Sequence, residues 1–168
     1  MWYAVQVRTG EEEKIKLLCN KIISGEILKE CFIPYYERMK KYLGEWHKSS
    51  EILFPGYIFM VSDYIDELRV WVKKIPNLTK ILGDGKDIIP LNDKEIEFLR
   101  KFGKEDHSIR MSQGYIENEK IIITDGPMKD FVGTIKKLDR HKRIAVIEME
   151  FFERITEIHI GMEIIRKA

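Results

Sequence analysis

The stretch Lys120-Ile-Ile-Ile-Thr-Asp-Gly-Pro-Met-Lys-Asp-Phe-Val-Gly-Thr-Ile-Lys136 continues through Lys137-Leu-Asp-Arg-His-Lys-Arg143 into a second apolar run, and it decides the fold of the C-terminal third. The β-branched run at 121–123 predicts a strand, ended by a Gly126-Pro127 turn. Phe131–Leu138 and Arg143–Glu150 then alternate between two faces, as half-buried strands do. Gly133 is expected to mark a bulge or a close approach of another backbone. Between the last two strands lies a basic tip. It holds Lys136, Lys137, Arg140, Lys142 and Arg143 against the single acid Asp139, a net +4 on a chain whose total is only +1. A polyanion is the natural partner for such a tip.

Working outward, the pattern changes upstream. Thr9 with Glu12 three residues on reads as a capping box, and Ile15, Leu18, Cys19 and Ile22 follow at helical spacing, so a helix is expected over about 10 to 23. Two extended runs come next, Leu28–Met39 and Ile52–Val61, separated by the polar stretch 40–51, which reads as a hairpin arm. Asp63 is placed to cap a second helix whose buried stripe is Leu68, Trp71, Val72 and Ile75, ended by Pro76. A short strand at Thr79–Leu82 precedes a third helix opened by Asn92 and Glu95 and carrying Ile96, Leu99 and Phe102. This order gives an α+β sandwich, with helices against an antiparallel sheet. The polar segment from Gly103 to Gln113 reads as a linker. From Tyr115 about 54 residues remain, enough for a small five-stranded barrel.

Composition narrows the function classes. With 168 residues, 44% of them apolar, the chain can build one or two cores and is no disordered tail. No apolar run approaches the ~18 residues that cross a bilayer. The N-terminus opens on the strand Trp2-Tyr-Ala-Val-Gln-Val-Arg8, without the pattern of a secretion signal. Two cysteines, Cys19 and Cys31, make neither a disulfide framework nor a metal quartet. A cytoplasmic, monomeric protein is the expectation. The near-neutral balance confines any nucleic-acid contact to a local patch. His47, His107, His141 and His159 are scattered, and no nucleophile elbow or phosphate-cradling loop occurs. An enzyme, a metal or another cofactor is therefore not expected.

Taken in order, Trp2-Tyr3, Gly10-Glu11, Phe32-Ile-Pro34, Leu53-Phe-Pro-Gly-Tyr-Ile58, Trp71 before Ile75-Pro76, and Asp125-Gly-Pro-Met-Lys-Asp-Phe-Val-Gly133 resemble the NusG family of transcription elongation factors. The last of these is similar to the KOW signature. The resemblance covers nearly the whole chain. It implies a NusG-like N-terminal domain at 1–102, with an antiparallel sheet and flanking helices, a linker at 103–116, and a small all-β KOW barrel at 117–168. It also implies that the N-terminal domain docks on RNA polymerase. General members usually carry a Phe-Gly-Arg-x-Thr-Pro type segment after the KOW hairpin. Here Phe151-Phe-Glu-Arg-Ile-Thr-Glu157 lacks that Gly and Pro, which puts a Rho or ribosomal-protein surface in question. With the unusually basic tip, the chain most resembles the LoaP-type antiterminators, whose KOW domain recognises a nascent RNA hairpin. RfaH-type members resemble it less, because Glu11-Glu-Glu13 stands where they are basic.

Two sites follow. Phe54, Tyr57 and Phe59 flank or follow a Pro-Gly kink, and Tyr57 and Phe59 share a strand face. Composition alone favours core for all three, whereas the resemblance makes Tyr57 and Phe59 an exposed patch for the polymerase, extended by Leu82. The RNA-binding set is Lys129, Lys136, Lys137, Arg140, His141, Lys142 and Arg143. A ribbon tip bearing these cations can straddle phosphates, and about four phosphate contacts imply a log–log salt slope of about −3 to −4. A solvated charged turn is the plain alternative. Lys40, Lys41, Trp46, His47 and Lys48 on the arm read mainly as a solvated hairpin. Arg8 and Lys74 stand where RfaH-type members touch nontemplate DNA, which makes DNA a further candidate partner beside polymerase and structured RNA. The alternatives in view are a general NusG factor and a KOW-type ribosome-associated adaptor. The β-branched runs 121–123 and 144–147 favour strands over a helical C-terminal form.

Overall fold

Strand β1 (Trp2–Val7) lies inside a four-stranded antiparallel sheet whose order is β2 (Glu30–Phe32), β5 (Tyr57–Val61), β1, β6 (Leu78–Ile81). These are the strands of a computed structural model that describes residues 1–76, 78–81 and 90–165. Consecutive residues of β1 and β5 are buried rather than alternate ones. That is the signature of strands covered on both faces, and it explains why both runs are apolar without a polar alternation. Helices α1 (Glu12–Ile22) and α2 (Ile65–Lys73) bury Ile15, Cys19, Leu68 and Val72. Cys19 and Cys31 are both buried free thiols, and the hydrogen bond that Cys31 donates to Cys19, together with burial, pushes the Cys31 thiol up.

Helix starts separate the expectations. Asn92 and Glu95 form the reciprocal box that opens α3 (Asp93–Gly103): the Glu95 N–H donates to Asn92 Oδ1 at 2.8 Å and the Asn92 N–H to Glu95 Oε1 at 3.0 Å. Thr9 does not cap α1. The Glu12 carboxylate is buried and accepts instead from the N–H groups of Gly10, at 2.5 Å, and Gly56, at 3.1 Å. Asp63 does not cap α2 either. It pairs with the chain amino group and with Lys29, while Ser62 Oγ accepts from the Tyr64 N–H at 3.0 Å. In both places a distant polar group outcompetes the local cap that spacing suggests.

The chain divides into two compact units, Met1–Pro34 with Phe54–Ile96, and Tyr35–Leu53 with Glu97–Ala168. The second holds the arm and the C-terminal strands. β3 (Tyr35–Tyr42) and β4 (Glu45–Ile52) form the arm, joined by Leu43-Gly44 with both residues at positive φ, the geometry of a tight hairpin turn. β7 (Ser108–Ile109) adds to β3 in parallel. A five-stranded sheet runs β10 (Thr134–Asp139), β11 (Ile144–Phe151), β12 (Arg154–Ile164), β8 (Ser112–Glu117), β9 (Lys120–Asp125). It makes the KOW-like all-β domain, and the fold class is α+β. Ala145, Ile147, Phe151, Ile158, Ile160 and Met162 are among its buried residues, and the ring of Phe98 lies 5.6 Å from that of Phe151.

The stretch 103–116, read as a linker from its polarity, carries β7 and most of β8, with Ser112 and Gly114 buried. Backbone pairing and the Ser112 hydroxyl, which accepts from the Met128 N–H, use polar groups that look solvent-facing in sequence. The expected strand at 131–138 begins only at Thr134, after a short 3-10 turn, η1 (Pro127–Asp130). A side chain at Gly133 would overlap the ring of Phe131, so that glycine makes room for a neighbouring side chain and not for another backbone. No described helix is long and apolar enough to cross a membrane.

Candidate nucleic-acid interface

β10 and β11 pair in antiparallel register, Asp139 opposite Ile144, and residues 140–143 form the turn between them. The Lys142 N–H donates to Asp139 Oδ1 at 2.9 Å. That bond, with the charges of Lys142, His141 and Lys137 nearby, holds the Asp139 carboxyl below its usual range. The one acid of the tip is thus spent on shaping the turn. Lys137, Arg140, His141 and Lys142 are exposed, and among the described residues the side chains of Lys137, Arg140 and Lys142 make no ion pair.

Three of the expected cations are placed differently. Lys136 is paired with Glu157 and Glu148, which hold its ammonium above the usual range. Arg143 has its guanidinium 3.8 Å from the centre of the Trp46 ring and Nη1 3.6 Å from Glu163. Lys129 is exposed on η1. It precedes β10 whereas the turn follows it, and six extended residues span about 20 Å. The tip therefore gathers Lys137, Arg140, His141 and Lys142, while Lys136 and Arg143 are engaged and Lys129 stands apart.

The arm carries a second charge system. Glu51 accepts from the Tyr36 hydroxyl at 2.9 Å and pairs with Lys40 at 3.2 Å and Arg38 at 3.6 Å. Burial opposes ionisation of Glu51, but the bonds from Tyr36 and Lys40 outweigh it and hold the carboxyl below its usual range. Burial, and then the bond to Glu51, push the Tyr36 phenol up to about 12. On the other face Lys48 pairs with the buried Glu37 at 3.1 Å, and Arg110 lies 3.7 Å from it. The Arg38 guanidinium reaches to 3.5 Å from the Lys142 carbonyl. Sequence reasoning missed Trp46 as a support of the turn; its position among arm cations was the only available signal.

The aromatic set in the first unit divides. Phe54 and Phe59 are buried, Phe59 stacked on Phe32 at 5.6 Å and tilted against Phe54 at 5.7 Å. An exposed patch that includes Phe59 is therefore not what the structure holds. Ile58, Phe59 and Met60 are each fully buried, so both faces of β5 are covered there and alternation does not expose one. Tyr57 is half-buried at the start of β5, and Leu82 lies outside the described residues. Arg8 is exposed, and Lys74 sits 4.7 Å over the Trp71 ring. Of the three acids in the neighbourhood, Glu12 is buried, while Glu11 and Glu13 pair with Lys14 and Lys16.

The family model described as NusG, transcription termination factor nusG, matches residues 1–100. The chain belongs to the NusG family. It is 26% identical over 165 residues to the transcription termination/antitermination protein NusG of Haemophilus influenzae, covering 95% of this chain and 89% of that one. It is 27% identical over 171 residues to the protein of the same name from Rickettsia felis, covering 99% and 89%. A solved structure described as domain interaction in Thermotoga maritima NusG is similar over 95% of this NusG-family chain and 92% of that one, with 28% identity and a TM-score of 0.62. The family match spans the sheet and helices of the first unit, and the structural similarity extends through the KOW-like strands.

Proposed function

We propose that this NusG-family protein is a transcription antitermination factor of the LoaP type. In this reading an N-terminal module (1–102) docks on elongating RNA polymerase. Joined to it around 103–116, a C-terminal module (117–168) holds a structured RNA hairpin through its basic turn. The observation that carries the reading is the turn itself: Lys137, Arg140 and Lys142 project from a ribbon end whose only acid is occupied by a backbone N–H. Cations that make no ion pair among the described residues are suited to phosphate, and Arg adds bidentate contacts to a guanine edge where a bulge opens the groove. For the polymerase contact, Tyr57 is the accessible aromatic, and Phe54 and Phe59 support its strand from inside.

Antitermination needs no chemistry. A factor that binds the active polymerase better than the paused one by about 1–3 kcal/mol biases the two states roughly 5- to 150-fold. Holding the nascent transcript raises the local concentration of the docking module, which confines the effect to transcripts with the hairpin. The test is a run-through assay on templates with and without a leader hairpin. The intact protein should raise read-through only with the hairpin, and the Arg140→Glu/Lys142→Glu variant should lose that difference. Equal read-through on both templates would instead point to a general NusG factor, the second reading, which the names of the relatives favour.

A further inference from the structure

The arm and the basic turn meet inside the second unit. Arg143, the last residue of the turn, stacks its guanidinium on Trp46 of β4, and Arg38 of β3 reaches toward the Lys142 carbonyl. A side chain at Gly161 of β12 would overlap the Glu37 carbonyl of β3, so the two backbones lie in close contact there. Trp46 stands directly opposite Lys41 in the β3–β4 ladder. Directly opposed residues of an antiparallel pair rise from the same face with Cβ atoms about 4.5–5.5 Å apart. Lys41 is exposed and makes no ion pair among the described residues, whereas its neighbour Lys48 is tied to Glu37.

We infer that the β3–β4 arm is part of the polyanion-binding surface, with Trp46 and Arg38 holding the basic turn in place and Lys41 adding a phosphate contact beside it. The inference rests on the reading of the turn as an RNA contact and extends the site to a second ribbon. Its physical basis is twofold. A hairpin end that carries long cationic side chains loses conformational freedom when it binds, and a turn already held at Arg143 and Lys142 has less to lose. Two ribbons side by side also offer cations to phosphates on more than one strand. A bulged RNA stem–loop, whose two backbones flank an opened groove, presents such an arrangement. Trp46 is accordingly a positioning residue, and Lys41 a contact.

The test uses the full chain and a labelled RNA stem–loop with a single bulge, titrated by fluorescence anisotropy over a salt series. Lys41→Gln should weaken binding several-fold at low salt and make the log–log slope shallower by about 0.7–0.9, one phosphate's share. Trp46→Ala should weaken binding in the parent but add nothing to Arg143→Gln, and Trp46→Phe should restore most of the loss. Arg140→Gln/Lys142→Gln reports on the turn independently. If that pair loses affinity while Lys41→Gln and Trp46→Ala bind like the parent, the role of the arm is overturned and the turn stands. If the pair also binds like the parent, both fall. Equal affinity for a DNA stem–loop of the same sequence would overturn the assignment to RNA.

Discussion

Replacing Phe59 by alanine separates a core role from a docking role. The ring is 0% exposed, lies 5.6 Å from Phe32 at 20° between planes, and meets Phe54 at 5.7 Å. A phenyl ring of this burial removes on the order of 150–200 Å² from water, which at about 25 cal/mol per Å² is roughly 4–5 kcal/mol. Buried Phe-to-Ala changes cost about 3–5 kcal/mol, the cavity included. With a urea slope of about 2 kcal/mol per M, the unfolding midpoint should fall by roughly 2 M. That is a large part of the 5–15 kcal/mol that holds a typical domain together. Tyr57→Ala, at a half-buried position, should shift the midpoint by less than half as much. The assay is urea unfolding followed by tryptophan fluorescence and circular dichroism, alongside capture of RNA polymerase. Phe59→Ala should lose polymerase only to the extent that it unfolds, and Tyr57→Ala should lose polymerase while folded. A midpoint shift below about 0.5 M for Phe59→Ala, with polymerase binding gone, would refute the core assignment.

Four further outcomes are expected. Charge reversal at Arg140 and Lys142 together should abolish stem–loop binding. In the Lys41→Gln variant, the three turn cations that make no ion pair among the described residues should give a log–log salt slope of about −2 to −3, shallower than five tip cations would produce. The Tyr36 phenol is raised from 10.0 to about 12, so its contribution is fully present below pH 10 and is lost as pH rises toward 12. Stability should fall across that window by on the order of 2 kcal/mol, and Tyr36→Phe should flatten the fall when unfolding is measured against pH. Because the Cys31 thiol is buried and pushed up, Cys31 should resist iodoacetamide in the folded protein and react once urea unfolds it. Fast native labelling, read by mass spectrometry, would contradict the packing.

Much of the fold was legible because its signals are local. The Asn92/Glu95 box, the helical spacing of Leu68, Val72 and Ile75, and the β-branched runs at 121–123 and 144–147 each specify an element within a few residues. The basic tip was legible for the same reason, since a hairpin end gathers neighbours in sequence. Even the NusG-family resemblance is a string of such short pieces in the right order. Where the reading departed from the structure, a partner distant in sequence was decisive. Glu12 is drawn to Gly56 and Asp63 to Lys29, so neither local cap forms as spacing suggested. Within the polar stretch 103–116, residues 108–109 and 112–116 become strand because β3 and β12 supply their backbone partners.

The amino-acid sequence alone determined that the tip would be cationic and that Phe59 would lie on a strand, since charge and periodicity are properties of neighbouring residues. Only the tertiary structure decided which cations remain available: Glu157 and Glu148 engage Lys136, and Trp46 and Glu163 engage Arg143, from positions that no local pattern brings together. Only it decided that Phe59 faces inward, because Phe32 and Phe54 close over its side of the strand, and alternation along β5 does not say which side is covered.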